Sequence, residues 1–279
     1  MSLNWFEPNS SSILFEMLLL GGLALVLTSI GFYRTVYFVS LGYVLSIAAM
    51  GILTPIRHLT HITWASALQN LLLVLWGLRL TVYLIRRESK RSYRKELKHA
   101  TESFEGLTWL MKVPLWIGVS VFYAIMFSPS LFSLISSPAP SSGILQPVQI
   151  LGLVTMGLGF VVESVADKQK SDFKQASPTQ YCDVGLYQWV RYPNYLGEIV
   201  FWVGNWITAI QAYDTPFQWI VSAMGMVFII LIMIGSTIRL EKRHDEKYGD
   251  LSSYQDYVRT VPVLLPLVPI YRLTSDARR

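Results

Sequence analysis

Two pairs of polar side chains stand four residues apart in apolar surroundings: Glu163 with Asp167, and Asn194 with Glu198. That spacing puts each pair on one helix face. Carboxylates and an amide so grouped can hydrogen-bond the hydroxyls and amides of a small ligand. An ionisable group in the middle of a membrane span costs roughly 2.5–3.5 kcal/mol, so such groups default to a functional reading. An ion pair with Lys170 is the structural alternative for the first pair. Cations recur close by in sequence, at Lys174, Arg191 and Arg239, and Arg79 interrupts an earlier apolar run. Guanidinium and ammonium groups suit a phosphate-bearing ligand. Snorkelling to the surface is the alternative for Arg79. Glu16, one turn into the first apolar run, is expected to snorkel outward. Aromatics crowd the same regions: Tyr192 and Tyr195 beside the amide, and Tyr254 and Tyr257 in a tail opened by Arg239 and Glu241.

The elements that must hold these groups are membrane spans. The chain has 279 residues, 52% hydrophobic and only 15% charged. Soluble domains carry roughly 25% charged residues, and the mean hydropathy here is +0.41. A span needs about 20 mostly apolar residues. Seven stretches qualify: 13–30, 35–53, 67–85, 109–135, 144–166, 196–213 and 217–238. The fourth carries Pro114 and Pro129, so a kink or an interfacial turn is expected there. Residues 261–271 are too short and too rich in proline to span, and read as a re-entrant or interface-lying tail. The first run lacks a basic segment before it and is expected to be retained.

Counting Lys and Arg in alternate loops gives 20 on one side against 1 on the other. The positive-inside rule then puts the N-terminus outside and the C-terminus in the cytoplasm. It also explains the net charge of +5 without nucleic acid. The expected fold is an all-α integral membrane protein of about seven helices, a single transmembrane domain over 1–279. The polar groups other than Glu16 then fall on the cytoplasmic side, in a pocket open to the cytosol with a lipid-compatible bundle behind it.

Several chemistries lack their motifs. Gly157-Leu-Gly159 lies inside a span and is not a dinucleotide-binding turn. There is no P-loop and no G-x-S-x-G. His58 and His61 read as interfacial loop residues, and His99 and His244 as isolated, so no metal site is expected. The single Cys182 excludes an intrachain disulfide.

Three segments and the tail carry a resemblance to a known superfamily. They are Leu-Trp-Gly-Leu-Arg-Leu (75–80), Glu-Ser-Val-Ala-Asp-Lys-Gln-Lys-Ser-Asp-Phe-Lys (163–174) and Gly-Leu-Tyr-Gln-Trp-Val-Arg-Tyr-Pro-Asn-Tyr-Leu-Gly-Glu (185–198). Residues 67–270, including part of a cytoplasmic tail over 239–279, resemble the membrane steroid 5-alpha-reductase superfamily, specifically its bacterial branch with the steroid-dehydrogenase C-terminal domain. The tail also looks like that of sterol C-14 reductases and isoprenylcysteine carboxyl methyltransferases. The resemblance implies an NADPH-dependent reductase in a bacterial cytoplasmic membrane, giving hydride to an activated C=C bond of a steroid-like or other lipid. Carried over by position, Asp167, Asn194 and Glu198 would contact the cofactor, the last two near the nicotinamide. Arg79, Lys174 and Arg239 would pair with its phosphates. Glu163, Arg191, Tyr192, Tyr195, Glu241, Tyr254 and Tyr257 complete the expected cofactor set.

One departure concerns the proton donor. Trp76 stands where steroid reductases place a Tyr, and an indole N–H does not readily give up a proton. Tyr43 and Tyr83 are the alternative donors. Two other functions stay open. An S-adenosylmethionine-dependent membrane methyltransferase would share the Tyr-Pro-Asn-Tyr turn and the tail. A non-catalytic lipid-binding protein would have lost the chemistry at Trp76.

Overall fold

The computed structural model describes residues 10–89, 107–136 and 145–273. They form eight α-helices joined by short 3-10 turns, and no strand occurs among them. The helices are α1 (Ser10–Thr28), α2 (Leu41–Arg57), α3 (Trp64–Ser89), α4 (Trp109–Ile135), α5 (Leu145–Ala176), α6 (Pro193–Thr208), α7 (Pro216–Tyr248) and α8 (Ser252–Thr260). Among the described residues six segments are long and apolar enough to cross a membrane: Ser12–Phe32, Thr35–Arg57, Trp64–Ser89, Trp109–Ile135, Gln146–Ala176 and Pro216–Tyr248. The chain is an all-α integral membrane protein. The seventh expected span, 196–213, folds as α6 and a 3-10 turn at Ile210–Ala212. With 16 residues, α6 is about 24 Å long at 1.5 Å per residue. α4 runs unbroken from Trp109 to Ile135 with both prolines inside it, so the expected interfacial turn is absent. His99 and most of the basic stretch 86–108 lie outside the described residues.

The described residues fall into two compact units. The first comprises Met1–Leu153 and Asn205–Met226, the second Val154–Gly204 and Val227–Arg279. Within the first, α1, α2, α3 and α4 pack around Phe38, Ile47, Leu73, Trp76, Phe127 and Leu131, all fully buried. Hydrogen bonds between helices supplement packing where lipid offers no hydrophobic drive between them. Thr28 Oγ1 lies 2.8 Å from Ser120 Oγ. Gln69 Nε2 donates to Asn205 Oδ1 at 2.9 Å. Tyr123 Oη donates to the Phe38 carbonyl at 2.9 Å.

Glu16 does not snorkel. It is buried, and Arg57 Nη2 sits 2.8 Å from its Oε1. His58 Nε2 is 3.5 Å from its other oxygen. Arg57 ends α2, so two cationic or polar groups come to the carboxylate at one end of the α1–α2 pair. Pairing makes a buried carboxylate tolerable where solvation is lost.

The second unit is built from the second part of α5, most of α6, the end of α7, α8 and a strap over 261–273. The strap returns to the segment preceding α6. Arg191 N donates to the Pro262 carbonyl at 2.9 Å, and Tyr192 N to the Val263 carbonyl at 3.2 Å. Val263 and Leu264 are buried against Tyr192, with Tyr195, Ile234, Leu240 and Leu273 packed around them.

Candidate functional site

All the polar groups singled out at 163–198 and 239–257 belong to the second unit. Their placement begins with a close helix contact. A Cβ on Gly159 would lie 2.3 Å from the Phe201 backbone nitrogen, and one on Gly197 would lie 2.5 Å from that of Glu163. Only glycine lets α5 and α6 approach so closely. The contact brings Glu163 to the turn of α6 that carries Asn194 and Glu198. Glu163, Asp167 and Glu198 are all buried, and Asn194 is half-buried.

The loop from α5 to α6 is pinned by a second glycine. Gly185 has φ +60°, and a Cβ there would overlap the Gln169 side chain at 2.4–2.6 Å. Gln169 Oε1 accepts from Leu186 N at 2.9 Å. The 3-10 turn Gly185–Gln188 that follows buries Tyr187. Tyr257 Oη donates to the Tyr187 carbonyl at 2.7 Å, which ties α8 to this loop.

Arg191 and Glu241 form a buried ion pair. Arg191 Nη2 lies 2.6 Å from Glu241 Oε1, with the two side chains 3% and 2% exposed. The same Nη2 donates to the Tyr271 carbonyl. Leu273 N donates to the other oxygen of Glu241 at 3.0 Å. Among the described residues the buried Nε of Arg191 has no hydrogen-bond partner.

That guanidinium lines a pocket. Its walls are Lys170, Lys174, Arg191 and His244, with Tyr181, Tyr187, Tyr192, Tyr254 and Tyr257, and Cys182. Its cavity volume is about 20 Å³, and it is partly open to solvent. Lys174 Nζ donates to Tyr248 Oη at 2.9 Å and also to the Gln180 carbonyl. The tyrosines form a cage. Tyr181 stacks on Tyr257 at 5.2 Å and meets Tyr254 edge-on at 5.2 Å. Tyr192 stacks on His244 at 6.0 Å, its hydroxyl 3.5 Å from Nδ1.

Burial raises the ionisation points of Tyr192, Tyr254 and Tyr257 well above that of a free phenol, and Asp245 adds to the effect at Tyr254. All three stay neutral hydroxyls at any ordinary pH. Burial likewise pushes the Cys182 thiol up and keeps it protonated. The pocket therefore presents three cationic groups and neutral hydroxyls.

Five expected cofactor residues line this pocket: Lys174, Arg191, Tyr192, Tyr254 and Tyr257. Glu241 stands behind Arg191. Glu163, Asp167, Asn194, Tyr195 and Glu198 are in the same unit but do not line it. Arg239 points elsewhere, exposed and hydrogen-bonded to Ser236 Oγ at 2.6 Å. Lys170, Tyr181, Cys182, Tyr187 and His244 join the site without having been assigned to it. His244 is not isolated, because the fold seats it on Tyr192. The density of tyrosines in 181–195 and 248–257 was the available signal for the cage.

Arg79, Trp76, Tyr43 and Tyr83 belong to the first unit. Trp76 is fully buried, and Tyr43 meets it edge-on at 5.2 Å while stacking on Tyr123 at 5.0 Å. Arg79 and Tyr83 are half-buried, with the Arg87 guanidinium 5.5 Å from the Tyr83 ring.

A family model described as "Protein of unknown function (DUF1295)" matches residues 26–261, most of the chain. An uncharacterized protein of Schizosaccharomyces pombe (strain 972 / ATCC 24843) is 29% identical over 120 residues. The match covers 36% of this chain and 34% of that protein, so this chain accounts for about a third of the relative's length. No solved structure matches.

Proposed function

From the premise that the chain belongs to the DUF1295 family, we propose that it is an NADPH-dependent membrane reductase acting on an activated C=C bond of a lipid. That family in general covers steroid 5-alpha-reductase-like membrane proteins. The observation that carries the reading is the pocket with Lys170, Lys174 and Arg191 in its wall and a buried, unpartnered Arg191 N–H. Such a donor set fits the phosphate groups of a nucleotide, with tyrosine faces for its planar rings. It does not suit S-adenosylmethionine, whose sulfonium would meet three like charges.

NADPH, when bound, supplies a hydride. The residues of the chain would bind and orient it: the cations would hold phosphate, and the Asn194 amide and Glu198 carboxylate would hold the nicotinamide end. A proton donor would protonate or polarise the substrate oxygen, with Tyr43 and Tyr83 as its candidates. The substrate comes from the bilayer, steroid-like or another isoprenoid or fatty lipid. The pocket faces the cytoplasm, with the N-terminus outside.

The test is thermal stability of the purified protein in mild detergent with NADPH, NADH or S-adenosylmethionine. A ligand at 100 times its Kd stabilises by about 2.7 kcal/mol. We expect a shift with NADPH that is lost in Asn194→Ala and Glu198→Ala. A shift with S-adenosylmethionine alone would overturn the reading.

A further inference from the structure

Beyond the pocket, the strap carries a surface of its own. From Val261 to Tyr271 the sequence Val-Pro-Val-Leu-Leu-Pro-Leu-Val-Pro-Ile-Tyr contains no charged residue. Its base is buried, but its tip is not: Leu265, Val268 and Ile270 are exposed, and Leu267 is 94% exposed. Trp189, 66% exposed, adds to the same patch. An open groove lies between Trp189 and the tip, bounded by Pro262, Leu267, Val268 and Tyr271.

The tip is held rigidly. Val263 N donates to the Ile270 carbonyl at 2.9 Å and Ile270 N to the Val268 carbonyl at 2.7 Å. Pro266 and Pro269 flank Leu267 and Val268. Leu267 has φ 67°, the single positive-φ residue other than glycine among the described residues. A side chain with a Cβ occupies that region only at a steric cost. The loop therefore spends strain to aim an uncharged leucine outward.

The height of the strap along α7 identifies what it meets. Its base packs on Ile234 and Leu240. These residues flank the end of the apolar run of α7, where Arg239, Glu241, Lys242 and Arg243 follow. One turn earlier α7 exposes Leu231 and Ile232, the lipid-facing side of a spanning helix. The tip, one to three residues beyond that base, adds exposed apolar surface near the end of the apolar run. Trp189 and Tyr271 are the residue types that settle at headgroup level; Arg259 precedes the strap, and Arg272, paired with Asp245 at 2.9 Å, follows Tyr271.

We propose that residues 265–271, together with Trp189, form an interfacial anchor that inserts into the glycerophospholipid bilayer, with Leu267 deepest. The anchor fixes the strap whose Pro262 and Tyr271 carbonyls hold Arg191 at the pocket, so the bilayer supports the site from outside.

The test uses the full chain in phosphatidylcholine–phosphatidylglycerol nanodiscs. Leu267→Cys is labelled with an environment-sensitive nitrobenzoxadiazole probe. The buried Cys182 is retained, and the unsubstituted chain gives the labelling background. We expect blue-shifted emission, quenched more strongly by doxyl groups high on the lipid chains than by aqueous iodide. Dominant iodide quenching would put the tip in water and overturn the proposal. Quenching by neither would mean that protein, such as a second copy, covers it, and would overturn it as well. Val268→Cys is the second reporter should Leu267→Cys fail to fold, with the same outcomes.

Discussion

Arg191→Met should be among the most damaging single substitutions in the second unit, and the reason lies in its partner. At 2.6 Å and an effective dielectric of 20, the Arg191–Glu241 attraction is about 6 kcal/mol. Desolvating two ions costs several kcal/mol each, so the intact pair roughly breaks even. Removing one partner leaves the desolvation cost of the other uncompensated. Glu241 would stay 1% exposed as a carboxylate, with the Leu273 N–H still donating to it. The expected loss is about 3–5 kcal/mol, or roughly 10 °C in melting temperature for a protein of this size. Glu241→Gln keeps an acceptor for Leu273 N and removes the charge. The double variant Arg191→Met/Glu241→Gln should recover about 2 kcal/mol or more relative to the sum of the singles, since contacting residues couple. The assay is reversible unfolding in detergent by tryptophan fluorescence on all four members of the cycle. Strict additivity would refute the reasoning, and so would an Arg191→Met protein within about 1 kcal/mol of the parent.

Three further outcomes are expected. Lys174→Met removes a charged donor from the pocket wall, where it meets Tyr248 Oη; NADPH affinity should fall about 10-fold or more, and a titration showing unchanged affinity would remove Lys174 from the site. Gly197→Ala drives a Cβ into the Glu163 backbone and should destabilise by roughly 1–3 kcal/mol. Gly118→Ala, with open space at the Cβ, should be close to neutral in the same melt. Tyr254 and Tyr257 have raised ionisation points when folded, whereas the unfolded phenols release protons from about pH 10. The stability they contribute is therefore complete below that pH and declines above it, which alkaline unfolding would reveal.

Hydropathy made most of the spans legible because an apolar helix in lipid needs little beyond length. Glu163, Asp167 and Glu198 stood out for the same reason, and all three are buried in the second unit without lining the pocket. What escaped the sequence was nonlocal. Glu16 read as a snorkelling end because its partner Arg57 lies a helix away. His244 read as isolated because its stacking on Tyr192 depends on α7 meeting the loop before α6. The strap's grip on Arg191 is made of backbone carbonyls, which have no signature in residue type. Arg239 shows the converse: a cation at the expected place in sequence whose helix phase turns it away.

The order of synthesis gives the strap a further meaning. Arg191 emerges long before the residues that neutralise and hold it, Glu241 and Tyr271. At 5–20 residues per second, roughly 4–16 s separate Arg191 from the end of the strap. During that interval the walls that α7 and α8 supply are still to come, and Arg191 waits for its counter-ion. A ribosome that stalls before residue 261 leaves a bundle with most of its spans inserted and a site that cannot form.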